Sequence, residues 1–140
     1  MEKNDAYIIT TYSGRGLPKE YRNMIYSKWL RSLRYGNDLL KMVDSKAFYS
    51  YHNALIDDLL LKPDTHVRIA SLEDDTDVVL GFCVCRPAVF ALDYVYVNRD
   101  MRKQGIGTAL APPACDLFTH ATKTGLTIAK TKKWRYNPYV

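Results

Sequence analysis

The stretch from Ala91 to Leu110 restricts what this chain can fold into more than any other. Leu92, Asp93, Tyr94, Val95, Tyr96 and Val97 form an alternating run rich in aromatic and β-branched residues, the pattern of a strand. A short charged turn then leads into Arg102-x-x-Gly105-x-Gly107 and an apolar helix start at Thr108-Ala109-Leu110. Where a strand feeds a glycine-bearing helix start, unpaired N–H groups converge and the helix dipole adds partial positive charge. The glycines let a phosphate approach the main chain. The spacing excludes two other phosphate cradles. No Lys-Ser or Lys-Thr follows Gly107, as a P-loop needs. A dinucleotide fingerprint needs a glycine where Arg102 stands and an acid about 20 residues on, where Lys123 to Lys130 supply none.

The segments before this joint are regular. Ala6 to Tyr12 is rich in β-formers and ends at the loop signal Ser13-Gly14-Arg15-Gly16. Pro18 suits a first helical turn, and Tyr21, Met24, Ile25, Trp29 and Leu33 keep helical spacing until Tyr35-Gly36-Asn37. Phe48, Tyr51, His52, Leu55, Ile56, Leu59 and Leu60 form a second helical stripe, opened by Asp44 or Ser45 and closed by Pro63. His66 to Leu72 alternates as a strand, the acid-rich Glu73 to Asp77 is a turn, and Val78 to Cys85 reads as a central strand. Arg86-Pro87 gives a tight connection into the strand that ends at Val97. Beyond the joint, Pro112-Pro113 predicts a kink or break near Thr108–Ala109 in the helix, and Leu126 to Thr131 reads as a fifth strand.

At 140 residues the chain is expected to form one domain with a real core. No apolar run approaches the ~18 residues of a membrane span. Three cysteines, two as Cys83-x-Cys85, give neither an even disulfide framework nor a paired zinc motif, so no metal site and a reducing, cytoplasmic setting are expected. The net charge of +5 is concentrated at one end. Lys123, Lys130, Lys132, Lys133 and Arg135 lie in the last 20 residues, and no acid follows Asp116. Interleaved with Trp134, Tyr136 and Tyr139, this tail could meet nucleic acid or an acidic protein, or be a solvated strand end.

The stretch from Asp93 to Leu110 resembles motif A of the GNAT acyltransferase superfamily, which grips acyl-coenzyme A with Arg/Gln-x-x-Gly-x-Gly/Ala after its fourth strand. The order of elements over roughly residues 6 to 131 is similar to the GNAT core. The resemblance implies an α/β (α+β) fold with a central, mostly antiparallel sheet of about five strands flanked by helices. The C-terminal half would be shortened, since a further helix and hairpin normally follow the fifth strand. It implies acetyl-coenzyme A, or another acyl-coenzyme A, as cosubstrate and acetyl transfer to an unidentified primary amine. Main-chain groups of Val95, Tyr96 and Val97 would face the pantetheine. The turn of Arg102, Lys103, Gln104, Gly105, Ile106, Gly107 and Thr108 would hold the pyrophosphate.

The resemblance also implies catalytic groups. Alternation places Asp93, Val95 and Val97 on one face, and family members often carry a Glu where Asp93 stands, acting as base directly or through water. An Asp paired with a basic neighbour is the alternative. The family's thiol-protonating tyrosine points nominally to Tyr139 or Tyr136, although a packed or frayed aromatic tail would read the same. His52 reads as a core histidine, and His66 and His120 have no motif around them. Cys115 lacks a nearby histidine to activate it. With the late elements absent, an open strand edge predicts a homo-oligomer through the C-terminal segment. The alternative function is a GNAT scaffold that binds a partner without catalysis, as in a bacteriophage virion or host-interaction protein.

Overall fold

The computed structural model describes residues 6–101, 105–120 and 123–140. Tyr7–Ser13 (β1) is followed by helices Lys19–Tyr35 (α1) and Ser45–Leu61 (α2). Strands His66–Leu72 (β2), Val79–Arg86 (β3) and Ala91–Val97 (β4) come next. Ile106–Leu110 (α3), Leu117–Phe118 (β5), Lys123–Lys132 (α4) and Arg135–Tyr136 (β6) complete the order. The six strands form one sheet in chain order, antiparallel from β1 to β4 and parallel from β4 to β6.

Local chemistry explains the first two thirds. Pro18 stands just before α1, where a missing N–H costs nothing, and Gly36 closes the helix by donating its N–H to Ser32. The Asp44 carboxylate accepts from the Ala47 N–H at the start of α2, and Lys62, ahead of Pro63, is already extended at its end. Ile25, Trp29 and Leu33 of α1 meet Phe48, Ile56 and Leu60 of α2 over Val67, Ile69, Phe82, Val84 and Tyr94 of the sheet. The opposite face buries Cys83, Cys85, Leu92, Val95 and Val97 against Ile106, Leu110, Ala111 and Cys115, with Ile128 of α4 packed alongside. The sheet is thus covered on both sides, which explains the near-continuous apolar run of β3.

The last third departs from expectation in part. The proline pair breaks the helix after Gly105, as its sequence predicts, with the end at Leu110, because Ala111 precedes a proline and turns extended at φ −75° and ψ 122°. The fifth strand is the two-residue β5, and the segment Leu126–Thr131 lies within helix α4. The signal for that helix was present: Gly125, Ile128, Ala129 and Lys132 recur at helical spacing and are the less exposed positions of its described part. The sheet has six strands rather than about five. Elements do follow β5: α4 and then the two-residue β6, which forms the C-terminal edge of the sheet. Trp134 is half-buried beside Phe118 with ring centroids 6.4 Å apart, and Tyr136 lies 5.1 Å from the same ring. Arg135 pairs with Asp116 at 3.4 Å. The basic tail is therefore a helix end followed by a short, exposed edge strand.

Candidate active site

The β3–β4 ladder slips by one residue: Val84 faces Tyr94 and Cys85 faces Leu92, so Asp93 is an extra residue in a bulge. This overturns simple alternation. Val95 and Val97 pack with Leu92 on the α3 face, whereas Asp93 turns to a cleft beside α2. The cleft, about 380 Å³, is walled by Tyr51, Leu55 and Asp58 of α2 on one side and by Asp93, Thr119 and His120 on the other. Pro138 and Val140 reach its rim. β4 and β5 pair only at Ala91–Leu117 and Leu92–Phe118, so the ladder between them stops at the level of the cleft.

Asp93 is only 1% exposed, and Arg86, the last residue of β3, is 6% exposed. They form a bidentate pair. Arg86 Nε donates to Oδ2 at 2.8 Å and Nη2 donates to Oδ1 at 2.8 Å. Thr119, immediately after β5, donates its hydroxyl to Oδ1 at 2.8 Å. The hydrogen bonds that Arg86 donates to Asp93 raise its pKa above the ordinary value. Nη2 also donates to the Val140 carbonyl at 3.2 Å. Asp93 is therefore ion-paired, not at the sheet surface but within the molecule.

His120 stands next to Thr119, past the end of β5 and not at the end of a helix. Its Nδ1 lies 2.9 Å from the Thr119 hydroxyl. The ring sits edge-on to Trp29 at 5.5 Å and to Tyr94 at 6.2 Å, and 6.5 Å from His52. Burial pushes its pKa down to about 4, against a smaller upward pull from Asp93. Burial likewise lowers the pKa of His52, whose Nδ1 has no hydrogen-bond partner among the described residues. Sequence reasoning missed His120, because one histidine after a two-residue strand carries no pattern.

Of the expected cofactor turn, Arg102, Lys103 and Gln104 lie outside the described residues. Gly105 opens α3 in the left-handed region at φ +80°, with open space where a Cβ would project. Ile106 is buried in the core and Thr108 is exposed. Gly107 has a different reason to be glycine: a Cβ there would stand 2.8 Å from Ile128 Cδ1 and 3.4 Å from Val97 Cγ2. It lets α3 pack closely against α4 and β4. Tyr96 is half-buried, facing the α1–α2 core.

Neither Tyr136 nor Tyr139 lines the cleft. Tyr136 packs on Phe118, and Tyr139 is 93% exposed. Cys115 donates to the Ala91 carbonyl at 3.4 Å, and its hydrogen bond with Cys85 and its burial raise its thiol pKa, which removes it as a nucleophile. Among the described residues no cluster of histidine, cysteine and carboxylate groups could hold a metal ion, and no helix is long and apolar enough to cross a membrane.

Comparison with known proteins agrees with this architecture. No curated protein sequence matches at a significant level. Among solved structures, apo YjaB from Escherichia coli superposes with a TM-score of 0.50 at 19% identity, over 78% of this chain and 64% of that one. This chain thus spans just under two thirds of the length of YjaB. A candidate acetyl transferase from Pyrococcus furiosus gives 0.52 at 17% identity, over 94% of this chain and 79% of that one. The aminoglycoside N-acetyltransferase AAC(6')-Iy in complex with CoA gives 0.50 at 11% identity, over 100% of this chain and 95% of that one. These likenesses are of fold. Residues 25–133 match the Acetyltransferase (GNAT) family, and with this α/β sheet, its bulged β4 and the glycine turn that follows, the chain belongs to that family.

Proposed function

We propose that this chain transfers an acyl group, acetyl in the simplest case, from acyl-coenzyme A to a primary amine. The observation that carries the reading is the β4–β5 split. The ladder ends after two residue pairs, the bulge at Asp93 marks that point, and β4 then runs on toward Gly105. The glycine turn fits the cosubstrate, because the space in front of Gly105 is open and the first N–H groups of α3 have no partner within the helix. Val95, Tyr96 and Val97 would hold the pantetheine arm through their main chain. Gly105, Ile106, Gly107 and Thr108 would hold the pyrophosphate through theirs, with Arg102, Lys103 and Gln104 beside them in sequence. The bound cosubstrate supplies an activated thioester; the chain supplies alignment and a place for the proton.

The family match supports the chemistry, and AAC(6')-Iy, captured with CoA and with a CoA-linked acetylneamine analogue, shows a related fold at work on an amine. Titration calorimetry with acetyl-coenzyme A tests the reading. Saturable binding is expected, weakened at least tenfold by Gly105→Val, whose side chain both enters the open space and strains the left-handed backbone. An absence of binding by the unaltered chain would overturn it.

A further inference from the structure

The side-chain hydrogen bonds from Arg86 through Asp93 and Thr119 to His120 run in one direction, and the His120 imidazole also donates to the Asp93 main-chain carbonyl. Arg86 can only donate, so both Asp93 oxygens accept from it. The Thr119 hydroxyl carries one proton and lies 2.8 Å from Asp93 Oδ1 and 2.9 Å from His120 Nδ1. A proton aimed at the histidine would leave two oxygen lone pairs facing each other across 2.8 Å. The hydroxyl proton therefore points at the carboxylate, and His120 must donate Nδ1–H to the hydroxyl oxygen. A neutral imidazole protonated on Nδ1 has its lone pair on Nε2.

We propose that His120 accepts the proton of the attacking amine through Nε2, with Thr119, Asp93 and Arg86 as positioning residues that fix its tautomer. This rests on the acyl-transfer reading above. Asp93 itself is badly placed to act as base: it is buried, and three donor contacts already engage its oxygens. His120 lines the cleft and is partly exposed. Among the described residues, the charged and titratable groups around it are Tyr51, His52, Asp58 and Lys62 on the α2 side, Arg86 from β3, and Asp93 and Tyr94 from β4. Burial keeps the imidazole neutral through the neutral range, so Nε2 carries a lone pair there.

The step balances without a further reagent. The amine nitrogen forms a C–N bond to the thioester carbonyl carbon, and the C–S bond breaks with its electron pair going to sulfur. The proton released by nitrogen passes to Nε2, and the same imidazolium returns it to the departing thiolate. One residue thus serves as base and then as acid, which removes the need for a tyrosine at this end of the molecule.

Two measurements on the full chain test the assignment. Nitrogen-15 NMR of labelled histidines should show His120 protonated at Nδ1 at pH 7; Thr119→Val should abolish that preference and Thr119→Ser should keep it. Thiol release from acetyl-coenzyme A, with spermidine and a lysine peptide as acceptors, should fall 10²–10⁴-fold in kcat for His120→Ala at unchanged KM for acetyl-coenzyme A. Added imidazole should restore at least tenfold, which a merely structural histidine would not allow. His120→Gln serves the same comparison if the alanine variant does not fold. An Nε2-protonated His120 in the unaltered chain, or full turnover by His120→Ala, overturns the assignment. Intact acetyl-coenzyme A binding alongside either result leaves the acyl-transfer reading standing, whereas loss of binding by the unaltered chain removes both.

Discussion

His120 has a consequence for stability that is separate from catalysis. Unfolded, an imidazole takes a proton near pH 6.5; in the folded chain this one waits until about 4. Between those values the unfolded chain binds the extra proton, so stability is unaffected above pH 6.5, falls as pH drops, and levels off below 4. The loss amounts to about 2–3 kcal/mol by pH 4.5. His120→Gln should flatten this part of the curve while His52, shifted in the same direction, remains as a smaller internal reference; urea unfolding at pH 7 and 4.5 reads the difference. Gly107 makes a second prediction. Gly107→Ala presses on Ile128 Cδ1, and Ile128→Val removes that atom. The pair should therefore couple favourably by at least ~0.5 kcal/mol in a double-mutant cycle followed by urea unfolding.

Three strands meet at one ion pair. Arg86 ends β3, Asp93 is the bulge of β4 and Thr119 follows β5, so their contacts hold together the sheet at the place where its ladder gives out. Arg86→Met strands a buried carboxylate and should cost about 3–5 kcal/mol, while Arg86→Met with Asp93→Leu should recover most of it, as measured by chemical denaturation. The bulge itself was invisible in the sequence, since nothing in Leu92-Asp93-Tyr94 announces an extra residue; strict alternation put Asp93 on the wrong side of the sheet. The long elements were legible because burial repeats often enough to show a period: α1 and α2 span 17 residues each, and β2 starts and stops where its alternation does. The later ones were not. Pro112-Pro113 does announce the early end of α3, but β5 has only two residues, and Thr127, Ile128 and Thr131 lend a helix the look of a strand. The glycine turn is legible as a motif, whereas the reason for Gly107, a neighbour on α4, depends on a helix whose sequence has the look of a strand.

At the level of the whole molecule, the sheet ends on one side at β1 and on the other at β6. β6 is only two residues long; main-chain hydrogen bonds from Arg135 to Asp116 and from Asn137 to Phe118, the Arg135–Asp116 ion pair, and Trp134 and Tyr136 against Phe118 hold it to the sheet. A chain shortened to end at Lys133 would expose the edge of β5 and the Phe118 ring, and light scattering at micromolar concentration should show association rising relative to the full chain. An unchanged scattering profile would mean that α4 alone shields that edge. The segment that follows β6 brings Pro138 and Val140 to the rim of the cleft, with the Val140 carbonyl held by Arg86. Any peptide fused beyond Val140 therefore begins at the mouth of the candidate active site. A polyhistidine tag placed there would deliver a high local concentration of imidazole beside His120, and a His120→Ala variant carrying it could be rescued by its own purification handle. Tagging ahead of β1 puts the handle at the far edge of the sheet.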